Sequence, residues 1–295
     1  MKNLERWHID RPLFYALLII ALISIVVLYS ASAKDSMVLA RHALRLTLGF
    51  GILFVVAQIR PETLAHWTPH LFTLGAVLLV AVLVVGTTAK GAQRWLNLGF
   101  ATFQPSEIMK LAMPMMLAWH FSRYSSPPKL RYVAIGGAIA LLPVLLIAKQ
   151  PDLGTALLIL GSGLTVLFLA GTGWRVIGVV MGLTALAIPL LWSHMHDYQR
   201  QRIMTLLDPS SDPLGTGYHT MQAMIAVGSG GFFGKGWLNS SQAHLDYLPE
   251  SSTDFVFAVF AEEFGLIGIL LLLGTYLFIV ARGLLIAFYA QETYN

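Results

Sequence analysis

The stretch LFYALLIIALISIVVLYS, residues 13–30, decides the fold class, because none of its residues is charged. An α-helix of this length crosses about 30 Å of hydrocarbon. Lys2 and Arg6 precede the stretch and ASA follows it at 31–33, a pattern that imitates a cleaved signal peptide. A signal peptide usually has an apolar region of about 7 to 15 residues, and further apolar blocks follow here, so we interpret the stretch as a membrane-spanning helix.

Apolar blocks of similar length recur along the chain. Of its 295 residues, 56% are hydrophobic and 12% are charged, against about 25% charged in an ordinary soluble domain. Hydrocarbon offers no partner to backbone N–H and C=O groups, so each block must be helical. The sequence therefore predicts an all-α, polytopic membrane protein with about eight transmembrane helices. The blocks are 12–31, 43–59, 69–87, 107–121, 131–148, 153–171, 174–193 and 255–281.

Three connections between the blocks are rich in Gly, Pro and polar residues: 88–106, 149–155 and 194–254. No repeat or low-complexity linker divides the chain, so we expect one transmembrane domain over residues 1–295. Loops as long as the third are uncommon without a function. Lys and Arg are similarly numerous on both sides, so their count does not set the orientation. If the termini are cytoplasmic, the short loops on that side carry almost no acidic residues, and this distribution favours that orientation. Residues 194–254 are then a large extracytoplasmic loop between helices 7 and 8.

The glycine-rich stretch GSGGFFGKG, residues 228–236, invites a nucleotide-binding interpretation. A phosphate-binding P-loop needs Gly where Ser229 stands and Ser or Thr where Gly236 stands, so the motif fails. Glycines permit tight turns and close backbone approach, and Lys235 supplies a movable charge. The alternative is a flexible turn between two amphipathic segments.

FQPSEIMKL, residues 103–111, predicts the start of a helix at Pro105 and Ser106. Glu107 and Lys110 are three residues apart and are therefore neighbours on one helical face. A surface ion pair explains them. The helix enters hydrocarbon at once, however, where ionisable groups usually face an interior cavity, so a functional role stays open.

The stretch YLPESSTDFVFAVFAEEFG, residues 247–265, carries Asp254, Glu262 and Glu263 into an apolar helix. Asp254 stands at its start, either as an N-cap or as a group at a water-facing mouth. Glu262 lies roughly 80° around the helix and about 12 Å deeper, and Glu263 lies nearly opposite Asp254. We expect Asp254 to meet a water-soluble substrate group, and the glutamates to pair with a buried cation or a polar neighbour.

The charged residues suit a substrate with a lipid tail, an anionic phosphate head and a hydroxyl group to be deprotonated. No spacing of His, Asp or Glu makes a recognisable metal-ligand set, so no metal site is predicted. No nucleotide site is required if the bond energy already resides in the phosphate, and no nucleic acid is expected as a partner.

Several long stretches of the chain resemble a known family, the SEDS proteins (shape, elongation, division and sporulation). KGAQRWLNLG is more similar to the elongation branch than to the division branch. The matching stretches are YSAS at 29–32, KGAQRWLNLGFATFQPSE at 90–107, KQPDLGTA at 149–156, DPLGTGYHTMQAMIAVGSGGFFGKGW at 212–237 and LDYLPESSTDFVFAVFAEEFG at 245–265.

The resemblance implies a peptidoglycan glycosyltransferase for cell elongation and rod shape. Such an enzyme polymerises lipid II, an undecaprenyl-pyrophosphate-linked disaccharide peptide, on the outer face of the bacterial cytoplasmic membrane. Its expected partners are a class B penicillin-binding protein, which is a transpeptidase, and the membrane proteins of the elongation complex. No cofactor is assigned, although the role of a divalent cation on the pyrophosphate stays open.

The resemblance also assigns site residues. The family's essential aspartate falls on Asp254, and its helix-4 glutamate and lysine fall on Glu107 and Lys110. From their placement beside Gly- and Pro-rich turns, we expect four cations to hold the pyrophosphate. They are Arg45, Arg94, Arg202 and Lys235. Asp152 is expected to contact substrate, and Gln104, Glu262 and Glu263 to support the site.

The chain departs from the family pattern at its C-terminal end. The family has ten spans, and the last two have no counterpart here, so we expect an incomplete domain with little activity alone. Two alternatives are a flippase that transports lipid II and a scaffold that holds the penicillin-binding protein. The acids cluster at one mouth and form no relay through the bilayer, which favours the transferase.

Overall fold

The computed structural model of the chain is mostly helical and places a helix at each of the eight predicted blocks. It describes residues 8–32, 35–89, 92–97, 102–124, 127–195, 197–211, 216–241 and 252–290. The helices are α1 (Arg11–Ala31), α2 (Ser36–Ala57), α3 (Pro61–Val85), α4 (Pro105–Phe121), α5 (Leu130–Lys149), α6 (Leu153–Leu169), α7 (Trp174–His194), α8 (Asp197–Leu207), α9 (Thr216–Ser229) and α10 (Val256–Phe288).

Five of the described helices are both long enough and apolar enough to cross a membrane: α1, α2, α3, α5 and α10. The apolar helix α6 is shorter, with 17 residues. The helical, polytopic fold expected from the sequence is confirmed, and the chain is a multi-pass membrane protein.

Regular structure also occupies two of the predicted loops, which corrects that part of the sequence reading. Within 88–106, the strands β1 (Thr87–Ala89), β2 (Ala92–Asn97) and β3 (Thr102–Phe103) form a small antiparallel sheet in that order. Within 194–254 lie α8, a single 3₁₀ turn (Pro209–Ser211) and α9. Hydropathy did not reveal α8 because its sequence, DYQRQRIMTLL, is largely polar.

Helix starts follow the capping signals of the sequence. The side chains of Asp10, Asp35 and Asp152 cap α1, α2 and α6 by accepting backbone N–H bonds. Helix α4 begins at Pro105, as predicted, with Gln104 at its N-cap position. Pro suits the first turn because the missing N–H has no intrahelical partner there.

The contacts of the chain form two compact units, which are described separately. The first unit combines the described residues within 8–58 and 190–290, and the second comprises those within 59–189. The prediction of a single domain stays a prediction.

The second unit packs α3, α4, α5 and α6 around a core of large apolar side chains. Those of Leu79, Met109, Met113, Leu117, Ile147 and Ile159 are fully or almost fully buried. Gln150 is buried beside this core, and its amide donates to the carbonyl of Leu79 at 3.0 Å. That bond joins the C-terminal end of α5 to α3.

In the first unit, α10 packs against α1 and α9, and α1 packs against α2. The buried apolar cluster of this unit consists of Ala31, Ala226, Ala258 and Val259. The small alanine side chains allow the helices to approach one another closely. At one end of the α1–α10 contact, the guanidinium of Arg282 donates to both carboxylate oxygens of Asp10, at 3.1 and 2.7 Å.

Candidate functional site

Helix α10 is interrupted at Gly265, whose φ of 62° and ψ of −162° are not helical. The interruption separates residues 256–264 from residues 266–288. It leaves carbonyl groups before the break and N–H groups after it without their usual intrahelical partners. In an apolar environment these groups need other partners.

Residues 230–241, called here the inserted segment, supply those partners. The N–H groups of Lys235 and Gly236 donate to the carbonyls of Glu262 and Glu263 at 2.9 and 3.0 Å. On the other side of the break, the N–H groups of Leu266 and Ile267 donate to two carbonyls of the segment at 3.0 and 3.2 Å. The inserted segment and the broken helix therefore complete one another's backbone hydrogen bonding.

The glycines of GSGGFFGKG serve this close backbone contact. A Cβ on Gly234 would lie 2.1 Å from the carbonyl oxygen of Glu263, and one on Gly265 would lie 2.3 Å from the nitrogen of Gly234. Gly234 also has a φ of 80°, which disfavours other residues. The interpretation of tight turns and close approach is confirmed.

Glu262 is fully buried and is the centre of a polar cluster. Its Oε1 accepts from the Lys235 ammonium at 2.6 Å, from the Ser241 hydroxyl at 2.7 Å and from the Ser241 N–H at 3.1 Å. Its Oε2 accepts from the Ser240 hydroxyl at 2.5 Å. A buried carboxylate needs such hydrogen-bond donors, because burying a charge without them costs roughly several kcal/mol in folding free energy. Glu262 thus ties the inserted segment to α10.

Glu263 has a similar environment and a different set of donors. It is 1% exposed, and its Oε1 accepts from the Leu238 N–H at 3.1 Å and from the Ser30 hydroxyl of α1. The indole N–H of Trp237 donates to the carbonyl of Val26 at 3.1 Å. Glu263 and Trp237 therefore join the inserted segment to α1.

Asp254 lies outside this buried cluster, on an exposed turn that directly precedes α10. The N-cap position of α10 belongs to Phe255, with no side-chain capping bond. The N-cap interpretation of Asp254 is therefore wrong. The carboxylate stands at the solvent-accessible start of the helix, eight residues before Glu262.

A pocket of about 420 Å³ opens beside the Asp254 turn, within the first unit. Ser252 and Thr253 of the turn form part of its lining. Its basic side chains all come from α2: Arg41, His42 and Arg45. Most of the remaining lining consists of apolar side chains from α1 and α10. The pocket thus combines an apolar wall with a cationic edge.

In the second unit, two of the family-like stretches, 90–107 and 149–156, meet at Asp152. Asp152 is 7% exposed and accepts from the hydroxyl of Thr155 at 3.0 Å and from the amide of Gln104 at 3.4 Å. A guanidinium nitrogen of Arg94 lies 3.7 Å from the same carboxylate, and another donates to the carbonyl of Pro151 at 3.3 Å. Asp152 thus joins strand β2 to the starts of α4 and α6.

Glu107 and Lys110 form the expected ion pair on the first turns of α4, with 2.8 Å between Nζ and Oε2. Their side chains are 56% and 39% exposed. The pair is therefore accessible to a ligand, and its contribution to stability is small.

The four cations expected to hold a pyrophosphate have different surroundings. Lys235 is bound to Glu262, and Arg94 contacts Asp152. Arg45 lines the pocket. The side chain of Arg202, on α8, lies outside the described residues. Their joint action on one phosphate stays a prediction, and Arg45 is the member that the structure places on a pocket.

Sequence reasoning missed Arg41 and His42 as members of this pocket. Both lie on α2 near the start of a predicted span, and their relation to the Asp254 turn depends on how α1, α2 and α10 pack. The amphipathic spacing of Arg41 and Arg45, one helical turn apart, was the available signal. Among the described residues, no group of three or more His, Asp or Glu side chains could hold a metal ion.

Comparison with known proteins places this geometry in context. The FtsW/RodA/SpoVE family, described as cell cycle proteins, matches residues 10–295. The chain is 50% identical over 292 residues to the peptidoglycan glycosyltransferase MrdB of Escherichia coli K12, covering 99% of this chain and 79% of that protein. It is 36% identical over 288 residues to the probable peptidoglycan glycosyltransferase FtsW of Aliivibrio salmonicida, covering 94% and 71%.

Solved structures give the same relationship. A chain from a study of how a peptidoglycan synthase complex coordinates polymerization and crosslinking matches with a TM-score of 0.80 and 31% identity, covering 97% of this chain and 80% of that chain. The rod shape determining protein RodA of Thermus thermophilus matches with a TM-score of 0.68 and 29% identity, covering 97% and 77%.

Proposed function

Because the chain belongs to the FtsW/RodA/SpoVE family, we propose that it is a peptidoglycan glycosyltransferase that polymerises lipid II for cell elongation. Relatives with this name support the reaction class. The residues of the first unit support two separate roles. Asp254 acts on the sugar, and the pocket beside it binds the lipid-linked phosphate.

The proposed reaction is a single displacement at a sugar carbon. The C4 hydroxyl oxygen of the acceptor sugar attacks C1 of the lipid-linked donor, and the C1–O bond to the pyrophosphate breaks. Asp254 takes the hydroxyl proton, while the lipid pyrophosphate leaves with the bonding electrons. One base suffices for a single displacement with inversion at C1, and cations stabilise the charge that develops on the leaving group.

The observation that carries the proposal is the position of the Asp254 turn on an amphiphilic pocket. Asp254 is exposed, whereas its neighbours Ser252 and Thr253 line a pocket that has apolar walls and the cations Arg41 and Arg45. Guanidinium groups match phosphate oxygens in geometry and charge. A ligand with a lipid tail and a phosphate head would use both surfaces, with its sugar directed toward Asp254.

Within the second unit, one ion pair is accessible to a ligand and one carboxylate is buried at a junction. Glu107 and Lys110 are exposed enough to contact substrate. The buried Asp152, together with Gln104 and Arg94, holds the starts of α4 and α6 in place. In this proposal Asp152, Gln104 and Arg94 position the backbone at the start of α4. Glu262 and Glu263 position the inserted segment.

We place the active face on the outer side of the bacterial cytoplasmic membrane, where lipid-linked disaccharide becomes available for wall synthesis. A class B penicillin-binding protein would cross-link the polymer. The related chain from a peptidoglycan synthase complex supports such a partnership.

The test is polymer formation in detergent by the purified protein, extended to the ten spans of the family, with lipid II equally accessible to all molecules. A transferase makes glycan polymer that can be separated by gel electrophoresis. A flippase leaves lipid II unchanged, since no transport is needed in detergent, and a scaffold leaves it unchanged until a polymerase is added. Absence of polymer, with the protein folded and its transpeptidase partner present, would contradict the proposal.

A further inference from the structure

The connection between α4 and α5 carries exposed cations at one end of the second unit. Its described residues, 119–124 and 127–132, are called here the α4–α5 turn. The cations are Arg123, Lys129 and Arg131, and all three are exposed. The sequence from 119 to 132 contains no acidic residue. Within the described part of the chain, no carboxylate forms an ion pair with these cations. The α4–α5 turn is therefore a positively charged surface.

Two of the cations are held against aromatic rings. The guanidinium carbon of Arg123 lies 3.6 Å from the centroid of the Trp119 ring. That of Arg131 lies 4.5 Å from the centroid of the Tyr132 ring, and the same guanidinium donates to the Tyr132 hydroxyl. A ring face attracts a guanidinium without using its N–H groups as donors. Most of these N–H groups can therefore still bind an anion.

The rings that support the cations are themselves fixed by contacts between α4 and α5. The rings of Tyr124 and Tyr132 stack with centroids 3.6 Å apart and planes 16° from parallel. His120 is buried, and its Nε2 lies 3.0 Å from the carbonyl oxygen of Tyr132. The cations are thus positioned before a ligand arrives, which lowers the entropic cost of binding one.

The position of the α4–α5 turn relative to the membrane favours a lipid as the ligand. Helix α5 is long and apolar enough to cross a membrane, and it begins directly after Lys129. Its first residue, Leu130, is 69% exposed. Lys129 and Arg131 therefore stand where the head-group layer meets hydrocarbon, the layer in which Trp and Tyr are enriched. A phospholipid there would place its phosphate beside cations and its acyl chains beside α5.

The same end of the second unit carries a further exposed arginine. Arg60 occupies the N-cap position of α3. Leu79, in the second half of α3, accepts a hydrogen bond from Gln150 at the end of α5, so the starts of α3 and α5 lie at the same end. Glu62 is the acidic residue nearby in the sequence. The cations at this end therefore outnumber the acids.

We propose that the α4–α5 turn binds the head group of an anionic glycerophospholipid. Arg123, Lys129 and Arg131 attract the negative charge, and the apolar start of α5 contacts the acyl chains. A zwitterionic phospholipid also has a phosphate, but its cationic group is repelled by the same side chains, so the anionic lipid binds more tightly. The site lies at the opposite end of α4 from the Glu107–Lys110 pair and does not depend on the proposed function.

The experiment measures lipid binding to the purified protein in neutral detergent by native mass spectrometry. It yields dissociation constants for the first bound molecule of phosphatidylglycerol and of phosphatidylcholine with the same acyl chains. Arg123→Gln/Arg131→Gln removes two cations, and Arg123→Lys/Arg131→Lys keeps their charge. Lys149→Gln, an exposed cation at the other end of α5, is the matched control. Inorganic phosphate and poly-glutamate are tested as competitors.

A basic side chain near an anionic membrane surface contributes about fivefold in affinity. We therefore expect the parent protein to prefer phosphatidylglycerol, and the double glutamine variant to bind it about tenfold more weakly or worse. The double lysine variant and Lys149→Gln should keep the preference. If the double glutamine variant does not fold, Arg123→Gln alone decides, with an expected loss of about fivefold.

Three results would overturn the inference. The first is unchanged phosphatidylglycerol binding by the folded glutamine variant, and the second is an equal loss in Lys149→Gln. The third is binding of poly-glutamate or inorganic phosphate at the α4–α5 turn in preference to the lipid, which would identify a protein-docking surface or a free-phosphate site. Each of these results leaves the proposed glycosyltransferase function intact, because that function is tested by polymer formation.

Discussion

Asp254 and Glu262 lie eight residues apart, yet their carboxylates have opposite environments. Asp254 stands on an exposed turn beside a pocket, whereas Glu262 has no exposed surface and accepts bonds from Lys235, Ser240 and Ser241. An exposed carboxylate can exchange a proton with an arriving hydroxyl group. A buried one that is saturated by donors stabilises the structure that surrounds it. We therefore assign the role of proton acceptor to Asp254 and a structural role to Glu262.

The largest effect on stability is expected from removing the cation partner of Glu262. Lys235→Met leaves a fully buried carboxylate without its ammonium, and we expect a loss of about 3–5 kcal/mol in the free energy of unfolding. Glu262→Gln should cost less, about 2–3 kcal/mol, because the Lys235 side chain is 34% exposed and can turn toward solvent. Thermal or denaturant unfolding in detergent measures both.

The exposed pair on α4 provides a matched control for these substitutions. Lys110→Met breaks a Lys–Glu contact of similar length, 2.8 Å, but both side chains are well exposed. We expect a change of no more than about 0.5–1 kcal/mol. Equal destabilisation by Lys110→Met and Lys235→Met would show that burial does not distinguish the two pairs.

The fit of the inserted segment gives the next largest effect. Gly234→Ala would place a Cβ 2.1 Å from the carbonyl oxygen of Glu263, at a φ of 80°. We expect a loss of about 2–4 kcal/mol in stability. Gly228→Ala, on α9 with open space around its Cβ position, should be neutral or stabilise by up to about 1 kcal/mol. Comparable unfolding temperatures for these two variants would contradict the described packing.

The smallest effect concerns the opposite end of α10. The hydrogen bonds from Arg282 lower the pKa of Asp10 below its usual value, with a further contribution from the Leu13 N–H. A lowered pKa in the folded state means that the stabilisation is present above about pH 4 and is lost as the pH falls below it. Arg282→Gln should destabilise the protein least among these variants near neutral pH, since the pair is partly exposed.

That pH effect is measured by unfolding between pH 7 and pH 3. The difference in stability between the parent protein and Arg282→Gln should shrink as the pH falls. A difference that stays constant down to pH 3 would contradict the assignment to Asp10.

The sequence predicted the helices well and the site incompletely, for physical reasons. Apolar blocks must form helices in hydrocarbon, and Glu107 and Lys110 are neighbours whenever their segment is helical. Lys235 and Glu262 are 27 residues apart, and their contact exists because α10 breaks at Gly265 and accepts the inserted segment. Local patterns do not specify such a contact.

The same limit explains why Arg41 and His42 were missed as pocket residues. The pocket is lined by α1, α2, α10 and the turn before α10, so its composition depends on how three helices pack. The turn residue Asp254 was easier to recognise, because a carboxylate at the start of an apolar helix stands out in the sequence alone.

The most direct test of the account compares polymerisation by Asp254→Asn and Glu262→Gln under conditions in which the unsubstituted protein polymerises lipid II. Both variants would be purified, shown to be folded at the assay temperature and tested for lipid II binding. We expect Asp254→Asn to bind lipid II while its rate falls by about 10² to 10⁴-fold, the usual contribution of a general base. Glu262→Gln should lose stability first and rate only in proportion. A near-normal rate for Asp254→Asn, or a well-folded but inactive Glu262→Gln, would contradict the account.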